Sequence, residues 1–280
     1  MTVVLAFAVG FVAVRLVLVA TRDVLASPVL ERENYRAHRL PTAAGVVLVV
    51  AVIGVEGVRA AAGALGFGDA VPARPRVLML VAVVGFGLLG FLDDLVGAGD
   101  DRGFRGHLRA LAAGRVTTGL AKLAGGAALA LVLAAAAHGD TGVQPLVDGA
   151  LVALAANLGN LLDRAPGRTT KFALAAYVPV AAVCGTGPTG VASAVVLGGA
   201  LGLLPEDLRE RFMLGDTGAN VIGAVLGLAV VVETSASTRA TVAAVLLALN
   251  LASEIVSFGR LIDAVAPLRG FDRLGRRPAP

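Results

Sequence analysis

Long apolar runs recur along the whole chain, and they constrain its fold more than any other feature. About 20 mostly apolar residues in helical form cross the hydrocarbon of a bilayer. Such runs fall at 3–20, 43–62, 76–92, 117–137, 146–162, 171–184, 187–204, 218–233 and 240–258. Backbone polar groups in lipid must be satisfied within the segment, which selects helices here. The expected fold is all-α, a polytopic transmembrane helical bundle of about nine spans. The pair on either side of Gly185–Pro188 could equally be one broken helix.

Composition agrees. Hydrophobic residues make up 57% of the 280, charged residues only 16%, and mean hydropathy is +0.83. Soluble domains carry about 25% charged residues. The loops left between spans are short, so a single integral membrane domain over 1–280 is expected, with residues 269–280 as a basic cytoplasmic tail on the anionic inner leaflet. The lone Cys184 allows no intramolecular disulfide and no cysteine metal cluster. Residues 1–20 lack a basic n-region and are too long for a signal-peptide core, which favours a retained first helix. The sequence pI near 10.0 does not by itself point to nucleic acid, because in a membrane protein the placement of charge matters more than its sum, and no nucleic-acid partner is expected.

The positive-inside rule sets the orientation. With the N-terminus outside and the C-terminus cytoplasmic, only Arg59, Arg74, Arg76 and Arg239 face outward and Arg15 lies within the first span, while the remaining Arg and Lys fall on inside loops. The same layout brings Asp93, Asp94, Asp163 and Asp216 to inside helix ends, with Asn157 and Asn160 one or two turns above Asp163. Unrelated loops thus deliver carboxylates and amides to one depth.

Five segments carry candidate chemistry. Gly90-Phe91-Leu92-Asp93-Asp94 ends the third span. Adjacent carboxylates leaving an apolar run are costly unless paired or bound to a cation, although helix-end acids standing in water are an equal alternative. Asn157, Asn160 and Asp163 follow i, i+3, i+6 spacing, within an arc of about 120° that climbs about 9 Å. That stripe suits a hard cation and a polar ligand, or an interhelical hydrogen-bond ladder. Met213-Leu-Gly-Asp216-Thr217-Gly-Ala-Asn220 opens the eighth span, where Asp216 or Thr217 could cap the helix and the helix N-terminus could receive phosphate oxygens. Asn34-Tyr35-Arg36-Ala37-His38-Arg39-Leu40-Pro41 leads into the second span, and Arg36 is a candidate phosphate ligand or a topological anchor. Gly103 to Leu111, with Arg105 and Arg109, then Gly114 to Lys122, reads as a surface helix followed by a polar approach to the fourth span. It suits a phospholipid-like head group or plain anchoring.

Taken in order, NYRAHRLPTAAG, GFLDD, GHLRAL…GRVTTGLAK, NLGNLLD and MLGDTGAN resemble the polyprenyl-phosphate N-acetylhexosamine-1-phosphate transferase superfamily over about residues 34 to 223. The resemblance implies transfer of a sugar-1-phosphate from a UDP-sugar to a polyprenyl phosphate, with release of UMP, for an envelope polymer or glycoconjugate. It implies Mg²⁺ as cofactor, with Mn²⁺ possible, and a homodimer. By the same resemblance Asp93 and Asp94 match the family's aspartate pair, Asp163 its metal-binding aspartate, Asn157 and Asn160 the preceding asparagines, Asp216 the aspartate of the glycine-rich segment, and Lys122 a basic position on the fourth helix. Asp93, Asp94 and Asp163 are thus the expected catalytic residues, with Asp163 and Asp94 on the metal. Pyrophosphate chemistry needs charge neutralisation and in-line positioning more than covalent help, and Arg105, Arg109, Arg164 and Arg168 can attract and orient the anions. Asp93 or Asp94 is the candidate base, if one is needed.

Three departures stand out. After Asp163 the chain reads Arg164-Ala-Pro-Gly-Arg168, where the family continues with glycine and a second Asp-Gly. No histidine follows His138, where members carry a histidine-rich loop near the C-terminus. Relatives have ten or more helices. The other readings are a non-catalytic homologue that binds lipid phosphate or a partner, and a small-solute transporter. A transporter would use ionisable groups near the midplane, for which Arg15, Glu56, Asp148 and Glu254 are the candidates.

Overall fold

A computed structural model describes residues 2–69, 71–96 and 118–277. Nine long helices occupy the described residues: α1 (Val3–Ala20), α2 (Gly45–Ala64), α3 (Arg74–Val96), α4 (Thr118–His138), α5 (Gln144–Leu162), α6 (Arg168–Cys184), α7 (Pro188–Leu208), α8 (Gly215–Glu233) and α9 (Ala236–Ser253). Seven of them are long and apolar enough to cross a membrane, and α6 is a shorter helix of 17 residues. Each sits on one of the nine expected runs. The segment around Gly185–Pro188 is a hairpin and not one broken helix. Gly185 turns the chain at φ +53°, Pro188 starts α7, and the Tyr177 hydroxyl donates to the Gly190 carbonyl across the turn at 3.5 Å.

The boundaries follow local chemistry. Thr2 caps α1 by accepting the Leu5 amide at 3.2 Å, and Ser235 caps α9 by accepting the Thr238 amide at 3.4 Å. That cap places α9 four residues earlier than its hydropathy suggests, and the helix ends at Ser253. Two short helices follow, α10 (Phe258–Ala264) and α11 (Ala266–Arg273). One element departs from the all-helical expectation. Between α1 and α2, β1 (Glu31–Glu33) and β2 (Arg39–Pro41) form a small antiparallel hairpin, with Arg32 opposite Leu40.

Lipid tails are as apolar as leucine, so helices in a bilayer associate through close packing of small residues. α7 and α8 are buried along most of their length and form the centre of the bundle. α1 lies on α7 at glycine contacts: a Cβ on Gly198 would stand 2.0 Å from the Phe7 carbonyl oxygen. α8 is gripped by α3 and α5 in the same way. A Cβ on Gly90 would stand 2.4 Å from the Asp216 oxygen, and one on Gly159 2.4 Å from the Ala219 oxygen. Large side chains such as Val12 and Leu16 on α1 and Leu247 and Leu251 on α9 are exposed, forming an apolar outer surface for lipid. Helices alternate in direction, so the ends of α1, α3, α5, α7 and α9 meet the starts of α2, α4, α6 and α8 at one end of the bundle. Backbone bonds from Met213 N–H to the Pro41 carbonyl (2.8 Å) and from Gly45 N–H to the Leu214 carbonyl (2.9 Å) join the starts of α2 and α8 there.

Candidate active site

The first turn of α8 organises this end of the bundle. A helix start leaves backbone N–H groups without partners, and here carboxylates from two other helices take them. Asp94, near the end of α3, accepts the Asp216 amide at 3.0 Å through one oxygen. Its other oxygen accepts the Thr217 amide at 3.0 Å and the Thr217 hydroxyl at 2.6 Å. Asp163, which caps the end of α5, accepts the Gly215 amide at 3.1 Å. The cap expected from Asp216 or Thr217 is therefore supplied in trans, and the amides expected to receive phosphate are already satisfied by Asp94 and Asp163. Gly215 sits at φ +75°, and a Cβ there would lie 2.7 Å from an Asp94 oxygen, so a side chain is excluded on both counts.

A second layer of contacts ties in the amide stripe and the lysine. Lys122, near the start of α4, donates to Asp93 at 2.7 Å and forms a short ion pair with Asp216. Asn160 donates to the same Asp216 oxygen at 3.2 Å. Asp93, Asp94, Lys122, Asn160, Asp163 and Asp216, six of the residues singled out in the sequence, thus form one network built by α3, α4, α5 and α8. Asn157 stands apart from it: its amide donates to Asn250 of α9 at 2.6 Å, an interhelical bond.

The arginines divide differently. Arg164 is exposed beside Asp163. Arg168 is buried, with its guanidinium forked onto the Asp272 carboxylate. Arg36 bonds the Tyr35 hydroxyl at 2.7 Å and faces Glu210 at 3.5 Å. Arg105 and Arg109 lie outside the described residues, as do residues 278–280 of the basic tail; the rest of the tail forms the end of α11 and the turn after it. Two acids passed over in the sequence also belong here. Asp207, at the end of α7, is buried and accepts the Gly167 amide at 2.9 Å. It ends an apolar run at the same depth as the other carboxylates, the signal that marked Asp93 and Asp163. Asp272 lies among four tail arginines and carried no such signal.

This network is rich in negative charge. Burial, followed by the charges of Asp207, Asp216 and Asp94, pushes the Asp163 carboxyl well above the usual carboxylate range. A divalent cation would relieve that repulsion, and the donors are all hard oxygens of the kind Mg²⁺ takes. Among the described residues no three acidic, histidine or cysteine side chains are grouped closely enough to hold one ion alone. Mg²⁺ commonly keeps one or two carboxylates and fills its shell with water and substrate phosphate, and Asp163 and Asp94 are the two carboxylates brought onto the first turn of α8. An apolar groove of about 370 Å³ opens between α5, α6, α8 and α9, lined by Leu158, Pro179, Gly223, Leu226, Val230 and Leu246. Leu158 is its lining residue nearest Asp163, and the groove extends away from the site to Cys184, Thr234 and Thr238 at the other end of the bundle.

Fold and site together define a polytopic helical membrane protein with a carboxylate–lysine network at one end of its bundle. Known proteins narrow that class. The chain is 28% identical over 247 residues to the phospho-N-acetylmuramoyl-pentapeptide-transferase of Desulforamulus reducens, covering 81% of this chain and 72% of that protein. It is 27% identical over 217 residues to the enzyme of the same name from Desulfitobacterium hafniense, covering 69% of this chain and 62% of the relative, less than two thirds of its length. No family model matches the chain. The resemblance to the polyprenyl-phosphate hexosamine-1-phosphate transferase family, to which both relatives belong, stands on these matches.

Proposed function

We propose that this protein transfers a sugar-1-phosphate from a UDP-sugar to a polyprenyl phosphate at the cytoplasmic membrane face, releasing UMP. The observation that carries the reading is the convergence of Asp93, Asp94, Asp163 and Asp216 with Lys122 at one end of the bundle. The two relatives are transferases by name, which supports an enzyme of the same kind. In this reading the nine helices all span the membrane, the N-terminus lies outside, and the site end faces the cytoplasm, where most of the arginines fall.

The chemistry follows from the substrates. An oxygen of the lipid phosphate attacks the sugar-linked phosphorus of the UDP-sugar. A new P–O bond forms, the bridging P–O bond to UMP breaks, and UMP leaves with the electron pair. Asp163 and Asp94 would hold Mg²⁺, which when bound would supply charge neutralisation at the diphosphate. The chain's own residues position. Asp94 fixes the start of α8, Lys122 holds Asp93 and Asp216 together, and exposed Arg164 attracts the anionic donor. The acceptor phosphate is already ionised near neutral pH, so proton removal is a minor demand. Asp94 is poorly placed to take a proton, because both its oxygens are engaged by α8.

The transporter reading loses its candidates. Arg15 pairs with Glu206 at 3.3 Å, Glu56 with Arg76 at 2.6 Å and Asp148 with Arg239 at 2.7 Å, while Glu254 lies exposed beyond α9. UMP release that requires both polyprenyl phosphate and Mg²⁺ tests the transferase reading; solute flux in liposomes without such release would replace it.

A further inference from the structure

Between Asp163 and α6 runs a short link, residues 164–167, and the C-terminal segment grips it. Arg168, the first residue of α6, places Nε and Nη2 on the two Asp272 oxygens at 2.9 Å each, with both side chains buried. Arg276 also pairs with Asp272 and donates through Nε to the Pro166 carbonyl at 2.9 Å. Lys171 donates to the Asp272 carbonyl and to the Leu274 carbonyl, the latter at 3.1 Å. From the opposite side Asp207 holds the Gly167 amide. Thr169 then bonds the Gly159 carbonyl at 3.1 Å and the Asp163 carboxylate at 3.4 Å. From Pro166 to Lys171, only Thr170 lacks a named polar contact in this set.

We propose that Asp272 is a positioning residue: through Arg168 and Arg276 it clamps the 164–167 link and so fixes the Asp163 carboxylate against α8. The proposal rests on the transferase reading for its kinetic consequence, but not for the clamp itself. It also joins two departures from the family pattern into one change. Arg168 closes the stretch after Asp163 that departs from the expected glycine and second Asp-Gly, and its partner Asp272 comes from the C-terminal region that lacks the expected histidines. A bidentate arginine–carboxylate pair fixes direction as well as distance. Removing one member leaves a buried cation without its partner, which is strongly destabilising locally.

Hydrogen–deuterium exchange on the full chain in nanodiscs, beside steady-state UMP release, separates positioning from general stability. Asp272→Asn is expected to speed exchange over residues 159–169 about tenfold or more, with α1 and α2 unchanged, because local opening is set by local contacts. It is expected to lower kcat roughly a hundredfold, the loss that misplacement by about 1 Å produces, with little change in KM for the UDP-sugar. Asp272→Glu, which keeps the charge, restores most of both. Asp263→Asn, in the same segment but exposed and paired only with Arg273 among the named contacts, changes neither. If Asp272→Asn does not fold, Arg276→Met removes the Pro166 bond and still loosens residues 159–169. Unchanged exchange over 159–169, or an equal rise across the whole chain, overturns the proposal. A wild-type protein without UMP release overturns the transferase reading alone, since exchange still decides the clamp.

Discussion

Asp94 and Thr217 are bonded twice, the same carboxylate oxygen accepting both the amide and the hydroxyl of Thr217, at 3.0 and 2.6 Å. The contact joins the end of α3 to the start of α8 across 123 residues of sequence. A bond to a charged group contributes about 1.5–3 kcal/mol. Thr217→Val keeps the shape, removes the hydroxyl and is expected to cost about that much stability, read as a lower melting temperature in detergent. An unchanged melting temperature would mean that Asp94 does not hold α8.

Lys122 binds Asp93 and Asp216 together, with all three largely buried. Lys122→Met leaves two carboxylates facing each other and is expected to cost about 3–5 kcal/mol, as in other broken buried pairs. Asp216→Asn in the same chain should return part of that loss. A coupling of about 0.5–3 kcal/mol in the double-mutant cycle is expected; additive effects would place the lysine elsewhere.

Close packing of α3 on α8 sets the distances in the site. Gly90→Ala would put a Cβ 2.4 Å from the Asp216 carbonyl oxygen and forces the helices apart. Overpacking of this kind costs about 1–3 kcal/mol, and the activity lost should exceed the stability lost because Asp94 moves with α3. Gly57→Ala, whose Cβ meets nothing within 4 Å, is the control expected to leave both unchanged.

Asp272 gives the protein an acid-sensitive anchor. Burial alone would raise its carboxyl, but the bond from Arg168 and the charges of Arg276, Arg168 and Lys171 outweigh it and hold it below its usual value of 3.8. A carboxyl depressed in the folded state contributes stability above its unfolded value, and that stability is lost as pH falls through the folded value. Melting temperature should therefore drop as pH falls below about 4, the unfolded value, and Asp272→Asn should lose this component of the drop.

Hydropathy runs and helix-end acids made the helices and most of the carboxylates legible in the sequence. All nine runs became helices, and Asp93, Asp94, Asp163, Asp216, Asn160 and Lys122 came together as one network. Other features depend on tertiary partners. Asn157 and Asn160 share a helix face and a residue type, yet one meets Asn250 and the other Asp216, because different helices pack at those two levels. Arg168 looked like a substrate ligand because its spacing from Asp163 is local. Its partner Asp272 lies 104 residues away in a segment whose hydropathy marks no span. The β hairpin at residues 31–41 was hidden by its short, charged strands.

The most direct test is UMP release by purified protein offered a panel of UDP-sugars, with and without polyprenyl phosphate and Mg²⁺, beside Asp163→Asn. The account predicts release from at least one donor that needs both lipid and metal and disappears in Asp163→Asn while the variant stays folded. Release that persists in Asp163→Asn, or none from any donor while a relative is active in the same assay, would contradict it.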